Sequence, residues 1–452
     1  MSNTIVLKQG LDIPLKGEAA QKIGKTVRPE TVAVQPTDFK GLSPRLLVRE
    51  GDKVLAGSPV IADKKCSDIL VTSPVSGTVS AIVRGDKRKL LQVRITPDGN
   101  NGAVDFGAAD PSGLDAAQVR SKLLESGLWV ALVQRPYGII ADPAASPKAI
   151  FVSAFSTAPL AASPEFTLKD EVADIQTGVN ALAKLSAGGV HISINSANYS
   201  GTPFHRIENA VQHVFSGKHP AGNVGVQISH ISPIQKGETV WTVSLHLLAA
   251  IGKLFNTGKV DLSRKVAVTG PAAKDPCYIE TLPGAGMETI AEFCNPDMAP
   301  VRVISGDALS GTNVGPDGCL GFFDNQITLL HEGTERELFG WIKPFRTNLF
   351  SASHTYFSRF FPKKKYAADT NMHGGPRAFV VSDVYGKVLP MEIFPVYLIK
   401  ACLAGNIDNM EKFGIYEVLP EDLALCEYVD PSKNNIQEII QGGIDLMIKE
   451  MA

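Results

Sequence analysis

Val48-Arg-Glu-Gly-Asp-Lys-Val-Leu-Ala-Gly-Ser-Pro-Val-Ile61, followed by Val71-Thr-Ser-Pro-Val-Ser-Gly-Thr-Val79, is the stretch on which the fold turns. It reads as two short β arcs of like design, each built from β-branched residues about a glycine: Gly51 and Gly57 in the first, Gly77 in the second. Glu50-Gly51-Asp52 and Ser76-Gly77-Thr78 are expected to be turns where a positive φ is cheap only for glycine. Asp63-Lys64-Lys65 lies between the arcs and is the natural tip of a hairpin that joins them.

The arcs resemble the barrel-sandwich fold of biotinyl and lipoyl domains, in which a lysine at the tip between them takes the cofactor. That resemblance makes Lys64 or Lys65 a candidate modification site. The spacing to Ser73-Pro74 is about two residues longer than a carrier hairpin needs, which counts against it. Exposed lysine pairs are more often solvated charge.

Composition bounds the rest. A chain of 452 residues is long for one core and suggests roughly three domains. With 44% apolar and 20% charged residues it is ordinary for a globular protein, and a net charge of −2 offers no field for nucleic acid. The six cysteines, at 66, 277, 294, 319, 402 and 426, contain no C-x-x-C pair, so neither a zinc site nor a disulfide framework is expected. The first eight residues lack the charged-then-apolar layout of a signal peptide. No run approaches the ~18 apolar residues that a membrane span requires.

The organisation expected is an α/β multi-domain chain. Residues 1–27 read as a lead-in with β candidates at 5–7 and Ile13, and 28–100 as the barrel-sandwich. A Gly-, Ala- and Asp-rich linker covers about 100–116. From 117 to 257 strands and helices alternate as in a Rossmann-like three-layer α/β domain: helices at 117–126 and 170–187, strands at 149–153, 190–194 and 224–228, then a strand-to-helix stretch over 240–255. Residues 258–344 show short strands (265–270, 301–306, 326–330) about one helix (285–293), similar to an SLBB-type β-grasp module. Residues 345–452 carry an aromatic and basic linker and then helices at 390–404, 421–428 and 436–451. The first of these is apolar round most of its surface and is expected to be core.

This domain order resembles two related families: RnfC of the Rnf electron-transfer complex, and NqrA of the sodium-pumping NADH:quinone oxidoreductase. Both are similar to the NADH- and flavin-binding subunit of respiratory complex I. The blocks Ser126-Gly-Leu-Trp-Val-Ala-Leu-Val-Gln-Arg-Pro-Tyr137, His219-Pro-Ala-Gly222, Ile251-Gly-Lys-Leu-Phe-Asn-Thr-Gly258, Val303-Ile-Ser-Gly-Asp-Ala-Leu-Ser-Gly311 and Glu421-Asp-Leu-Ala-Leu-Cys426 resemble NqrA. The resemblance implies a peripheral subunit on the cytoplasmic face of the bacterial inner membrane. There its membrane-embedded and flavin-bearing partner subunits pass electrons from NADH, through flavins and an iron–sulfur centre, to ubiquinone or menaquinone and export Na+.

Two features expected of flavin- or cluster-bearing relatives are missing. Their glycine-rich loop lets backbone N–H groups approach phosphate, whereas here Trp129, Leu132 and Val133 put bulk at that place and Arg135 offers a lone charge. Cluster-binding tails need closely spaced thiolates; here Cys426-Glu-Tyr-Val-Asp430-Pro431 keeps one cysteine and has Asp430 where the last would stand. The chain itself is therefore expected to hold no flavin, NADH, cluster or metal. The alternatives are an RnfC-like flavin or iron–sulfur subunit, and a carrier modified at Lys64 or Lys65.

Two groups remain as binding candidates. His219, His230 and Trp241, among Val and Ile, offer the apolar slot and polar donors that a quinone needs; the alternative is that the histidines are loop residues bonded to backbone. Arg359, Lys363, Lys364 and Lys365, interleaved with Phe357, Phe360, Phe361 and Tyr366, suit docking on an acidic partner face or the headgroup zone beside a membrane subunit. The alternative is a solvated linker.

Overall fold

The computed structural model describes residues 4–294, 300–334, 343, 345–380 and 382–451. Among these residues four sheets and a helical tail make an α/β multi-domain fold. The two arcs lie in a four-stranded sheet (Val32–Val34, Leu90–Pro97, Gly77–Arg84, Lys53–Val54) and a three-stranded one (Pro44–Leu46, Pro59–Asp63, Leu70–Thr72). Their β-branched residues, Val60, Ile61, Val71, Val79, Val93 and Ile95, form the interior. Gly51 and Gly57 have φ of +90° and +88°, as the turns require. Gly77 has no positive φ and is no turn residue. It opens a strand, and a Cβ there would lie 2.2 Å from the Thr96 carbonyl oxygen, so the glycine serves close approach between strands.

The α/β domain is built on a seven-stranded mixed sheet ordered Thr4–Val6, Ala210–Ser216, Val190–Asn195, Ile150–Ser153, Val240–Thr242, Val133–Arg135, Ile139–Ile140. The first five strands are parallel, Val133–Arg135 runs antiparallel to them, and Ile139–Ile140 turns back antiparallel to Val133–Arg135. Alternate residues of Ile150–Ser153 part to opposite faces, the period of two at work. Ile150 and Val152 join Val119, Leu123, Ile175, Val179, Leu248 and Ile251 of the helices Ala116–Glu125, Val172–Leu182 and Leu245–Thr257. Phe151 packs with Ile228, Ile234 and Val240. Two of those helices approach so closely that a Cβ on Gly252 would sit 1.7 Å from the Asp174 carbonyl oxygen.

Several expectations need correction. Val224–Ile231 is a helix, not a strand. Residues 285–293 hold a 3-10 turn over Met287–Phe293 rather than a full α-helix. The helix Pro395–Leu403 buries Leu398, Ile399 and Ala401 but leaves Phe394, Tyr397 and Leu403 more than half exposed, so its surface is only partly core. Residues 4–26 supply Thr4–Val6 to the α/β sheet and Ala20–Thr26 to the edge of a six-stranded sheet completed by Cys277–Thr281, Arg264–Thr269, Gln326–His331, Val301–Ser305 and Thr312–Asn313. The stretch after residue 100 is tied down as well, since Phe106 and Ala109 donate backbone hydrogen bonds to Gly258 and Phe255.

The tail helices, including Pro395–Leu403, Ala424–Val429 and Ile436–Met451, enclose Tyr385, Leu398, Leu425, Ile440 and Met447. That core continues without a break into Leu7, Phe155, Phe215, Ala221 and Val226 of the α/β domain. Among the described residues no helix is long and apolar enough to cross a membrane.

Candidate functional site

A cleft of about 430 Å³ opens beyond the carboxyl ends of the parallel strands Ile150–Ser153 and Val240–Thr242. Ligands of open α/β sheets bind at this place, because the loops that leave neighbouring strands part there. Every domain contributes to its wall. Phe39 comes from the barrel-sandwich, Ile139, Ile140, Phe155 and Val243 from the α/β domain, Phe323 from the β-grasp module and Leu419 from the tail. The polar residues of its lining are Asp38, Lys40, Ser153, Ser156, Thr167, Thr242, Ser244, His246, Asn325 and Glu421.

Beneath it lies a charged network that sequence reasoning missed. The Arg264 guanidinium, buried at 7% exposure, donates from Nη1 to His246 Nε2 and to the Asp324 carbonyl oxygen, both at 3.0 Å. Its Nε and Nη2 find no partner among the described residues. Burial first, then the neighbouring Arg264, hold His246 well below the usual histidine range, so it is a neutral acceptor at Nε2. Burial pushes the Asp38 carboxyl up to about 6, against the hydrogen bond it accepts from the Phe322 amide at 2.8 Å. Asp324 is likewise raised by burial, and it accepts from Ser305 Oγ at 2.5 Å. These four residues come from three domains and share no local motif. A weak signal was available only in His246, which follows Trp241 in the chain.

The segment that follows the helix Ala116–Glu125 is packed with apolar side chains, and its Val130 and Ala131 line the cleft. Leu128–Ala131 forms a 3-10 turn whose residues are all buried. Trp129 donates from Nε1 to the Ala141 carbonyl at 2.7 Å and meets Trp241 edge-on, ring centroids 5.4 Å apart. Arg135 is buried and committed to the tail: Nη1 reaches Asp422 and Nη2 reaches Glu421, each at 2.7 Å. Burial opposes its charge, but the two carboxylates outweigh it and raise its pKa.

The structure does not gather His219, His230 and Trp241 around one slot. They share no hydrogen bond or ring contact, and none lines the cleft. Trp241 is wholly buried in the sheet. His219 is buried, its Nδ1 3.2 Å from Thr157 Oγ1, and its backbone N–H donates to Asp12 at 3.0 Å. Burial lowers its pKa. The same Thr157 hydroxyl accepts from the amide of Gly222, which does line the cleft, so His219 bears on the cleft through its loop. His230 is exposed at the end of its helix, Nδ1 2.9 Å from the Val226 carbonyl, and edge-on to Phe215.

Lys64 and Lys65 are exposed beyond the strand Pro59–Asp63, in a loop fixed by the Asp63 carboxylate, which accepts from the amides of Ser43 and Cys66. Cys426 is buried in the tail core. Asp430 accepts from Tyr385 Oη, from the amides of Ser432 and Asn434, and from Asn434 Nδ2. Among the described residues no group of three or more His, Cys, Asp or Glu is placed to hold a metal.

Arg359, Lys363, Lys364 and Lys365 are all exposed. Arg359 lies over the Phe360 ring at 4.9 Å, Lys364 donates to the Thr347 carbonyl at 2.6 Å, and Lys365 pairs with Glu18 at 2.6 Å.

Comparison with known proteins assigns three regions: residues 5–98 match the NqrA N-terminal barrel-sandwich hybrid domain, 114–260 the NqrA second alpha/beta domain, and 265–315 the NQRA C-terminal domain. Similarity to single proteins runs nearly end to end. The chain is 37% identical to the A subunit of the Na(+)-translocating NADH-quinone reductase of Serratia proteamaculans over 443 residues, 97% of this chain and 98% of that protein. It is 39% identical to the corresponding protein of Actinobacillus pleuropneumoniae serotype 5b over 99% of this chain and all of that one, and 37% identical to that of Histophilus somni strain 2336 over the same shares.

Proposed function

The chain belongs to the NqrA family, the A subunits of Na+-translocating NADH-quinone reductases, and from that premise we propose that it is a peripheral subunit without a redox cofactor of its own, whose cleft borders the quinone path. Its partners are the flavin-bearing and membrane-embedded subunits of the complex, met at the cytoplasmic face. Arg359, Lys363, Lys364 and Lys365 belong to the docking surface. The observation that carries the cofactor-free reading is Arg135, the cation beside the turn Leu128–Ala131, already paired with Asp422 and Glu421. A cleft lined mostly by apolar residues favours a flat, weakly polar ligand over a dinucleotide. In it, neutral His246 and Asn325 are the groups on hand to meet a carbonyl or hydroxyl. His219 acts on the cleft through Thr157 and Gly222, and Trp241 through its neighbours Thr242 and Val243, while His230 stands outside it.

Purified alone, the chain is expected to be colourless, with no flavin band and no stoichiometric iron; either one would replace this reading with the RnfC-like alternative. Trp129 and Trp241 adjoin the cleft residues Val130 and Thr242, so short-chain quinone bound there should quench their emission. Ser156→Phe, which fills the exposed rim, should abolish the quench. His219→Ala should weaken binding several-fold, the ~1 kcal/mol scale of one hydrogen bond. Unaltered titrations in both variants would place the quinone site on another subunit.

A further inference from the structure

The segment from Lys343 to Tyr366 holds six cations, Lys343, Arg346, Arg359, Lys363, Lys364 and Lys365, and seven aromatic residues, with no Asp or Glu, in a chain whose net charge is −2. Four of its phenylalanines are turned outward, while Arg346 and Tyr366 are buried. Phe345 is 79% exposed, Phe360 62%, Phe361 51% and Phe357 39%. They form one patch: the rings of Phe345 and Phe357 are 5.1 Å apart, those of Phe357 and Phe360 5.9 Å. The cations stand among them, with Arg359 over Phe360 and Lys364 bonded back to Thr347 beside Phe345. The 3-10 turn Phe357–Phe360 and the hydrogen bonds that the amides of Phe361 and Lys364 donate to the carbonyls of Ser358 and Phe361 hold residues 357–364 in this form.

Resting on the peripheral-subunit reading above, we propose that this patch docks directly on an anionic lipid surface, its phenylalanine rings entering the acyl boundary and Arg359, Lys363 and Lys364 meeting the headgroup phosphates. Charge complementarity is one ground: Arg359, Lys363 and Lys364 are exposed, Lys365 is paired with Glu18, and each Lys or Arg near an anionic surface strengthens binding severalfold. The protruding rings are the other. Water penalises four neighbouring exposed phenylalanines, and an interfacial site accepts rings at the depth where flanking cations reach phosphate. Basic charge alone or apolar insertion alone binds reversibly; the two together make a stable anchor. A chain that lacks a membrane-crossing helix among its described residues has use for such an anchor when its partners lie in the bilayer.

The test is co-sedimentation of the purified full chain with phosphatidylcholine vesicles, with and without phosphatidylglycerol, at low and high salt. It uses the parent, Phe360→Ser/Phe361→Ser, and Lys363→Gln/Lys364→Gln. All four positions are exposed, so the fold should persist, which circular dichroism checks. Expected is binding to anionic vesicles that exceeds binding to neutral ones by about tenfold or more, falls with salt, and drops about tenfold in each double variant. Equal binding to both vesicle types, or no loss in either variant, overturns the proposal. A parallel pull-down with detergent-solubilised membrane subunits separates the two readings. If the variants lose the subunits while the parent ignores vesicles, the patch docks on protein and only the lipid assignment fails. If neither vesicles nor subunits respond, the patch has no docking role at all.

Discussion

Arg135 keeps a full charge where water is excluded, and it does so only because Asp422 and Glu421 each meet it at 2.7 Å. Removing one member of a buried pair leaves the other uncompensated, at a cost of about 3–5 kcal/mol, whereas replacing both with apolar groups is often neutral. Arg135→Met should therefore destabilise by about that amount, and Arg135→Met/Asp422→Leu should recover most of it, read from urea unfolding. Gly225 guards the same contact, since a Cβ there would lie 2.2 Å from Arg135 Nη1 and 2.3 Å from Asp422 Oδ2. Asp38 gives a separate test by pH. Its carboxyl titrates near 6 in the folded chain against 3.8 as a free side chain, so the proton favours the folded state. The stability it lends is complete below pH ~4 and is lost as pH rises through about 6, up to about 3 kcal/mol for a shift of this size. Asp38→Asn mimics the protonated form and can still accept from Phe322. The melting temperature of the parent should fall relative to the variant between pH 4 and pH 7; parallel curves would show that Asp38 is not linked to folding.

At the scale of single elements, what the sequence made legible followed local pattern, and what it hid depended on contacts far along the chain. The helix Ala116–Glu125, expected at 117–126, is fixed by its own neighbours: Asp115 and Gln118 form a capping box, and Gly127 follows its end. Val224–Ile231 deceives because its apolar residues fit both periods over so short a run: Val224, Val226 and Ile228 alternate, while Val224, Ile228 and Ile231 lie on one helical face. The helix prevails because Gln227, which a strand would turn to solvent, is buried and bonds Ser153 Oγ and the Ala221 carbonyl. The missing glycine loop and the missing cysteines were visible as residue types at known places. The partners of Arg135 were not, since 286 and 287 positions separate it from Glu421 and Asp422. The cleft was hidden for the same reason: Asp38, His246 and Arg264 converge only once three domains have packed.

Over the whole molecule, the tail is part of the α/β domain's core. Leu7, Phe155, Phe215 and Val226 share one apolar cluster with Leu398, Leu425 and Ile440, and the Arg135 pair crosses the same boundary. A chain ended at Pro376 would leave those four side chains in water at about 1.5–3 kcal/mol each and strand Arg135 without its carboxylates. Together these terms rival the 5–15 kcal/mol that typically separates folded from unfolded domains. The truncated chain should therefore bind a hydrophobic dye, aggregate on concentration and melt well below the parent. Adding Arg135→Met to the truncation removes the uncompensated charge but not the exposed rings, so it should restore part of the melting temperature and none of the resistance to the dye. A truncated chain that stays monomeric and melts with the parent would mean that the tail is a separately folded appendage. The interface drawn by Phe155, Phe215 and Arg135 would then contribute little to holding the subunit together.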